Sequence, residues 1–269
     1  MNKRIVPIVL LIFLSLVAMM VSCDDTPATN VTRVAPSGGD YTTIQAALDE
    51  AEEGSTIMVE PATYTGNLII DKPVTLKAGA QGVLIDGSVH INAKNVTFSG
   101  FKLIPTLNHG IVGYPDTRLL SIYVDSTAEV AFENLHINGG DSTSANLSYK
   151  RGIVAKAGAE FTVSNSLFQN LITAIFVNLD TAGPTGVTMV AQNNTFTNNK
   201  AGIGGTEYSN VTILNNTFES LGRIDGEGIG LGFGVTILDT EGDEIADASE
   251  LEGANTFNYS SGNKVEDYR

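Results

Sequence analysis

The chain has 269 residues, 30 of them acidic and 15 basic, for a formal net charge of −15 at neutral pH. A surface this acidic repels phosphate backbones and argues against a nucleic-acid partner. One cysteine and no tryptophan exclude an internal disulfide and remove the commonest stacking platform for sugars, although tyrosines could serve.

In chain order, Lys3 and Arg4 precede an almost wholly apolar run, Ile5–Val21, broken by Pro7 and Ser15. A positive start, an apolar centre and the small residue Ser22 mark a cleaved export signal over residues 1–22, and the run is short for a membrane span. Met20-Val-Ser-Cys23 resembles the lipobox of bacterial lipoproteins, with Met20 where leucine is usual. The resemblance implies lipidation of Cys23 and an exported protein anchored in the cell envelope through lipid alone. Polar residues 23–32 are expected to form a flexible tether, and residues 33–269 one domain. Without Lys3 and Arg4 the mature chain keeps 13 basic against 30 acidic residues, a net of −17. An anionic glycan is then an awkward ligand unless calcium bridges the charges, so calcium is the one cofactor expected.

Ile44, Ala47, Leu48 and Ala51 fall at helical spacing; Thr42 with Gln45 fits a capping box, and Gly54 is expected to stop the helix. Strands are predicted at Thr56–Glu60, Asn67–Asp71, Val74–Lys77 and Val83–Asp86, separated by proline and glycine. Further on, one phrase recurs. Val187-Thr-Met-Val-Ala-Gln-Asn-Asn-Thr-Phe196 returns as Val211-Thr-Ile-Leu-Asn-Asn-Thr-Phe218, with looser copies ending at Leu103, Ile137, Phe168 and Phe257. Gly100, Asn134, Asn165, Asn193 and Asn215 share one column, at intervals of 34, 31, 28 and 22 residues, and Asp239 continues it. This is a unit of about 22 residues carrying insertions, a short alternating strand followed by an Asn bend and an apolar anchor. Alternation sends Val211 and Ile213 inward and Thr212 outward. No unit can bury its apolar face alone, so the units must stack as a coil of parallel strands. The early helix then plugs the open end, where unpaired strand edges would invite aggregation.

Gly39-Asp-Tyr-Thr-Thr-Ile-Gln-Ala-Ala-Leu48, Glu53-Gly-Ser-Thr-Ile57, Pro61-Ala-Thr-Tyr64, Lys72-Pro-Val-Thr-Leu76 and Ile85-Asp-Gly87 resemble the opening coils of the pectin-lyase-like superfamily. The resemblance covers residues 33–103, and the Asn-Thr-Phe units cover most of the rest. It implies an all-β fold, a single-stranded right-handed parallel β-helix (solenoid) with an N-terminal capping α-helix. It also implies a polysaccharide or a cell-surface molecule as partner. The aspartate and Gly-Arg-Pro-Trp runs of pectinesterases are missing. So are the partner aspartates of polygalacturonases, of whose motifs only Asn108-His-Gly110 comes near, and the Arg-x-Pro-x-x-Arg segment of pectate lyases.

Function on a rigid scaffold is sought in its insertions. Pro105–Ser121 carries His109, Asp116 and Arg118; Asn138–Arg151 carries Asp141, Tyr149, Lys150 and Arg151. Both interrupt successive units just after the anchor column, so they are expected to emerge one above the other. Lys150, Arg151 and His109 are the candidate catalytic groups, with Asp116, Arg118, Asp141 and Tyr149 as substrate-binding residues. Lys150 or Arg151 could abstract a proton beside a carboxylate only with its pKa drawn down. The competing reading makes all of them solvated loop charges. A third insertion, Asp239–Glu252, reads as an acidic loop with a helical turn at Ile245–Leu251. Thr75, Thr97, Thr162, Thr188, Thr212 and Thr236 are expected to line one outer face, Ala131 interrupting them, and to stack as good strand formers. His90 and His136 adjoin strands and are expected to hydrogen-bond there rather than ligate metal. Two functions stand: an envelope lipoprotein that binds, and in one version degrades, an extracellular polysaccharide, or a non-catalytic adhesin or scaffold.

Overall fold

A computed structural model describes residues 31–105, 119–140, 150–177, 185–205, 208–219, 227–231, 236–238, 244–245, 249–258 and 263–267. It opens with strand β1 (Val31–Val34) and helix α1 (Ile44–Glu50). Coils of three strands follow: β2 (Thr56–Val59), β3 (Thr63–Thr65), β4 (Leu68–Ile70); β5 (Thr75–Ala78), β6 (Leu84–Asp86), β7 (Val89–Ile91); β8 (Val96–Ser99), β9 (Lys102–Leu103), β10 (Leu119–Val124). Then come β11 (Glu129–Glu133), β12 (His136–Asn138), β13 (Lys150–Ala155); β14 (Glu160–Ser164), β15 (Leu167–Gln169), β16 (Thr173–Val177); β17 (Thr188–Gln192), β18 (Thr195–Thr197), β19 (Ala201–Gly204). The last are β20 (Asn210–Leu214), β21 (Thr217–Glu219), β22 (Glu227–Leu231), β23 (Thr236–Leu238), β24 (Glu244–Ile245), helix α2 (Ser249–Ala254), β25 (Thr256–Asn258) and β26 (Asn263–Asp267).

Each strand pairs with its counterpart one coil away, and three sheets result. The first runs β1-β2-β5-β8-β11-β14-β17-β20-β23-β24, the second from β3 to β25 and the third from β4 to β26. Every pairing is parallel except β23 with β24. This is the coil of parallel strands expected from the repeats, and the right-handed parallel β-helix implied by the resemblance.

The repeat columns become structural columns. Gly100, Asn134, Asn165, Asn193 and Asn215 all take positive φ, between 53° and 84°, at the corner between the first and second sheets. Asparagine and glycine are the residues that tolerate this left-handed corner. Asp239 lies outside the described residues. The hydrogen-bonded ladder runs one residue further on than the bend. Asn194, Asn216 and Asn255 are buried. The Asn194 Nδ2 donates to Asn216 Oδ1 at 3.0 Å, and Asn216 Nδ2 to Asn255 Oδ1 at 3.1 Å. Leu103, Ile137, Phe168, Phe196, Phe218 and Phe257 stand in register. The four phenyl rings stack with centroids 5.1, 4.7 and 4.9 Å apart and planes within 12°.

The third sheet bends within strands β10, β13, β16, β19 and β22. Pairing in register skips Ser121, Gly152, Ala174, Gly202 and Gly228, and at this point two consecutive residues face the core. An added Cβ on Gly202 would come within 2.5 Å of the Phe218 ring, so small side chains are required in this column. The outward residues on either side of the bend converge, and Leu120, Tyr123, Val154 and Phe176 form a second apolar cluster outside the main core.

Several expectations need correction. The α1 N-cap is Thr43, whose side chain accepts from the Ala46 amide at 3.3 Å, not Thr42. The helix ends at Glu50 with Ala51 as its cap, and Gly54 (φ 79°) serves the following turn. Gln45 is free of capping because it has another task. Its Oε1 accepts from the Ile69 amide at 2.8 Å and its Nε2 donates to the Ile69 carbonyl at 3.3 Å, closing the edge of β4. Strand β3 was not anticipated, since three residues between prolines and glycines give almost no alternation. The threonine column is broken as well: Thr162 pairs with Val190, whereas Thr188 lies between Glu160 and Asn210, and Thr236 beside Asn210. The helical turn expected at Ile245–Leu251 is α2, begun at Ser249, which touches β20, β25 and β26, one strand of each sheet.

Candidate functional site on the outer face of the third sheet

The two expected insertions lead into neighbouring strands. One runs from β9 to β10 and the other from β12 to β13, and Leu119 pairs with Lys150. His109, Asp116, Arg118, Asp141 and Tyr149 lie outside the described residues, as does Cys23. Lys150 and Arg151 are described, at the start of β13.

Lys150 is half-buried, and an added Cβ on Gly140 would stand 3.2 Å from its Nζ. Gly140 holds φ of 98°, so the chain turns away and leaves the amine room over its backbone. Burial draws the Lys150 ammonium below the ordinary lysine range, because removing water penalises the charged form. Arg151 is 8% exposed, and its guanidinium carbon sits 4.1 Å from the centroid of the Phe176 ring one coil on. Cation–π attraction of this kind fixes the guanidinium's plane and grows as water is excluded. The bend explains the contact, because it brings Arg151 on one side of it toward Phe176 on the other.

The same face carries groups that sequence reasoning set aside. His90, Tyr123, Val154 and Phe176 follow one another in register. The His90 ring meets Tyr123 edge-on with centroids 5.2 Å apart, and its Nε2 lies 3.4 Å from Asp125 Oδ2. Asp125 Oδ1 accepts from the Ser126 amide at 2.7 Å and the Ser126 hydroxyl at 3.2 Å. Partial burial works to raise the Asp125 carboxyl, but the bonds from Ser126 and His90 and the charge of Lys156 outweigh it and leave the carboxyl below its ordinary value. On the second sheet, burial and the charge of Lys102 lower the His136 imidazole against an opposing bond to Gln169. Among the described residues no three histidine, cysteine or carboxylate groups gather as metal ligands. A separate groove of about 430 Å³ lies on the first sheet, between Asn95, Glu129, Glu160 and Thr188 and the floor residues Thr97, Ala131, Thr162 and Val190.

No protein-family model matches the sequence, and no curated protein matches it. Solved structures do match in fold. An alginate lyase from Paenibacillus sp. str. FPU-7 superposes with a TM-score of 0.50 at 14% identity, over 88% of this chain and 98% of that one. A pectin methylesterase from Yersinia enterocolitica gives 0.48 at 13% identity, over 85% and 95%. A rhamnogalacturonan lyase gives 0.46 at 13% identity, over 87% of this chain and 62% of that one. The fold is therefore the parallel β-helix, as the three parallel sheets already show and the alginate lyase shares. At these identities the likeness defines the fold and nothing finer.

Proposed function

We propose that this chain is an exported, lipid-anchored envelope protein whose β-helix binds an anionic extracellular polysaccharide along the outer face of the third sheet. The observation that carries the reading is the Lys150–Arg151 pair. On a protein of net charge −15, two consecutive residues are cations, Lys150 with its amine in the space over Gly140 and Arg151 with its guanidinium stacked on Phe176. Lys150 offers an ammonium that a uronate would re-stabilise, and Arg151 adds a permanent positive charge next to it in the chain. One of the structures similar in fold is an alginate lyase, which makes uronans the first class to test. The loops bearing His109, Asp116, Arg118, Asp141 and Tyr149 complete the binding face in this reading, and calcium bridges acidic loop residues to the glycan. A lowered Lys150 also suits proton abstraction beside a uronate carboxylate, so cleavage is assayed together with binding. The missing motifs of the best-known activities favour binding as the primary role.

The mature protein should retain alginate or polygalacturonate in affinity electrophoresis at low salt, with calcium strengthening the retention. Replacing Lys150 and Arg151 together by alanine should weaken binding by roughly ten- to a hundredfold, the value of a charge-assisted hydrogen bond or two. A protein that retains no uronan, with or without calcium, would be a scaffold or adhesin presenting its loops to another partner. Radiolabelled palmitate should enter the wild-type chain and not Cys23→Ala.

A further inference from the structure

We infer that His90, oriented by Asp125, is a general base that hydrolyses an acyl ester carried by the glycan. The proposal builds on the glycan-binding reading for the identity of the ester's carrier, but the chemistry is argued from the pair itself. A base held by a carboxylate on its far side is the arrangement that fixes an imidazole for proton transfer. Here the far nitrogen is Nε2, 3.4 Å from Asp125 Oδ2. Contacts of this kind are commonly long before substrate binds and tighten afterwards. Asp125 cannot swing away, because its other oxygen is held by the amide and the hydroxyl of Ser126. The edge-on packing against buried Tyr123 fixes the ring's tilt. Nδ1 is left to take a proton, and the half-buried ring gives substrate access to it.

The surroundings select the reaction. Asp125 is the carboxylate bonded to the ring, Lys156 acts on Asp125 from the next coil, and Asp71 and Asn92 directly follow β4 and β7 at the positions matching Asp125. A uronate stripped of a carbon-bound proton would be doubly anionic beside these carboxylates, so activation of an O–H bond is favoured over a C–H bond. Ser126 is the nearby hydroxyl, yet it is turned to Asp125 and not to His90. An acyl-enzyme through Ser126 is therefore not expected, and water is the nucleophile. Nδ1 takes a proton from water as its oxygen bonds to the ester carbonyl carbon. The tetrahedral adduct then breaks its bond to the sugar oxygen, which leaves with the proton returned from Nδ1. Ester and water become carboxylic acid and alcohol, and the dyad is restored. Ile69, paired with His90 and 50% exposed, offers an apolar contact for the acyl chain.

The test incubates the mature protein with O-acetylated polygalacturonate and, separately, with 4-nitrophenyl acetate, measuring acetate or nitrophenol release. Wild type should release both products, and His90→Ala and His90→Gln should lower kcat by about a hundredfold or more, the scale of a positioned base. Asp125, acting through the ring, should affect kcat with KM unchanged in Asp125→Asn and be partly rescued by Asp125→Glu. Thermal melting of each variant separates loss of fold from loss of chemistry. Retention of polygalacturonate without ester hydrolysis would overturn the dyad and leave the binding reading intact. Hydrolysis of 4-nitrophenyl acetate without glycan retention would do the reverse. Release from His90→Gln equal to wild type would also overturn the dyad.

Discussion

At the scale of single residues, the architecture depends on side chains whose polar atoms have one place to go. Asn216 is fully buried. Its Oδ1 accepts from the Asn194 amide and side chain, and its Nδ2 donates to the Ala191 carbonyl and Asn255 Oδ1. Asn216→Ala leaves several of these groups unpaired, each at a cost of about 1–3 kcal/mol. A loss of roughly 3 kcal/mol is expected from urea denaturation, with Asn216→Asp intermediate or worse because it buries a charge. Ser121 is the opposite case. It is fully buried in the bend column, its hydroxyl has no hydrogen-bond partner among the described residues, and the next two coils place Gly152 and Ala174 there. Ser121→Ala should leave the protein as stable or up to about 1 kcal/mol more stable. For Lys150, whose folded pKa is lowered, the folded state holds that proton less tightly than the unfolded state. Stability should therefore rise with pH from the lowered value up to the ordinary lysine range. In Lys150→Met that alkaline gain should disappear, as denaturation midpoints at stepped pH would show.

At the scale of elements, each strand is too short to stand alone, and stacking supplies what local sequence lacks. Phe196 lies between Phe168 and Phe218, with rings 5.1 and 4.7 Å away. Phe196→Ala opens a hole in the middle of the stack and should cost about 3–5 kcal/mol, more than the same change at partly buried Phe257. The ends need different treatment. Helix α1 covers β4, and Gln45 occupies both backbone groups of Ile69 that another strand would seek. Gln45→Leu should therefore lower stability by only about 1 kcal/mol but expose a pairing edge. Concentration-dependent dimers or larger species in size-exclusion chromatography would reveal it. Helix boundaries were misjudged because Thr42 and Thr43 are equivalent as caps by composition. The choice between them rests on Gln45 being used elsewhere.

At the scale of the whole molecule, a coil of parallel strands turns repeated units into three continuous sheets. The chain carries 30 acidic against 15 basic residues, so binding of any polyanion depends on its few cations. Retention of alginate should fall steeply as salt rises past physiological strength, where the screening length drops below about 8 Å. The repeat was legible because burial demands the same answer in every coil: an apolar pair, an asparagine corner, an apolar anchor. Lys150 and Arg151 were legible as exceptional cations on an acidic chain. Phe176, His90 and Asp125 were not, since they belong to different coils and meet only through register. Register is held by burial and the corner column while the insertions vary in length, and alternation alone does not reveal which outward side chains it aligns. The misassigned Thr188 and Thr236 have the same origin, a shift of two positions that keeps a residue on the correct face but in the wrong column.

What the amino-acid order by itself determined was therefore the kind of object: a parallel coil with a capped beginning, a bend of left-handed residues and a phenylalanine spine. Each of these answers a local demand, for burial, for a permissive backbone or for an end to a sheet. Only the tertiary structure decided which outward side chains become neighbours. It placed Arg151 against Phe176 and His90 against Asp125, and moved the hydrogen-bonded ladder one residue past the bend. The physical reason is that contacts across coils join residues far apart in the chain, and the alternation that fixes a residue's face leaves its column open, so that a slip of two positions brings different groups together.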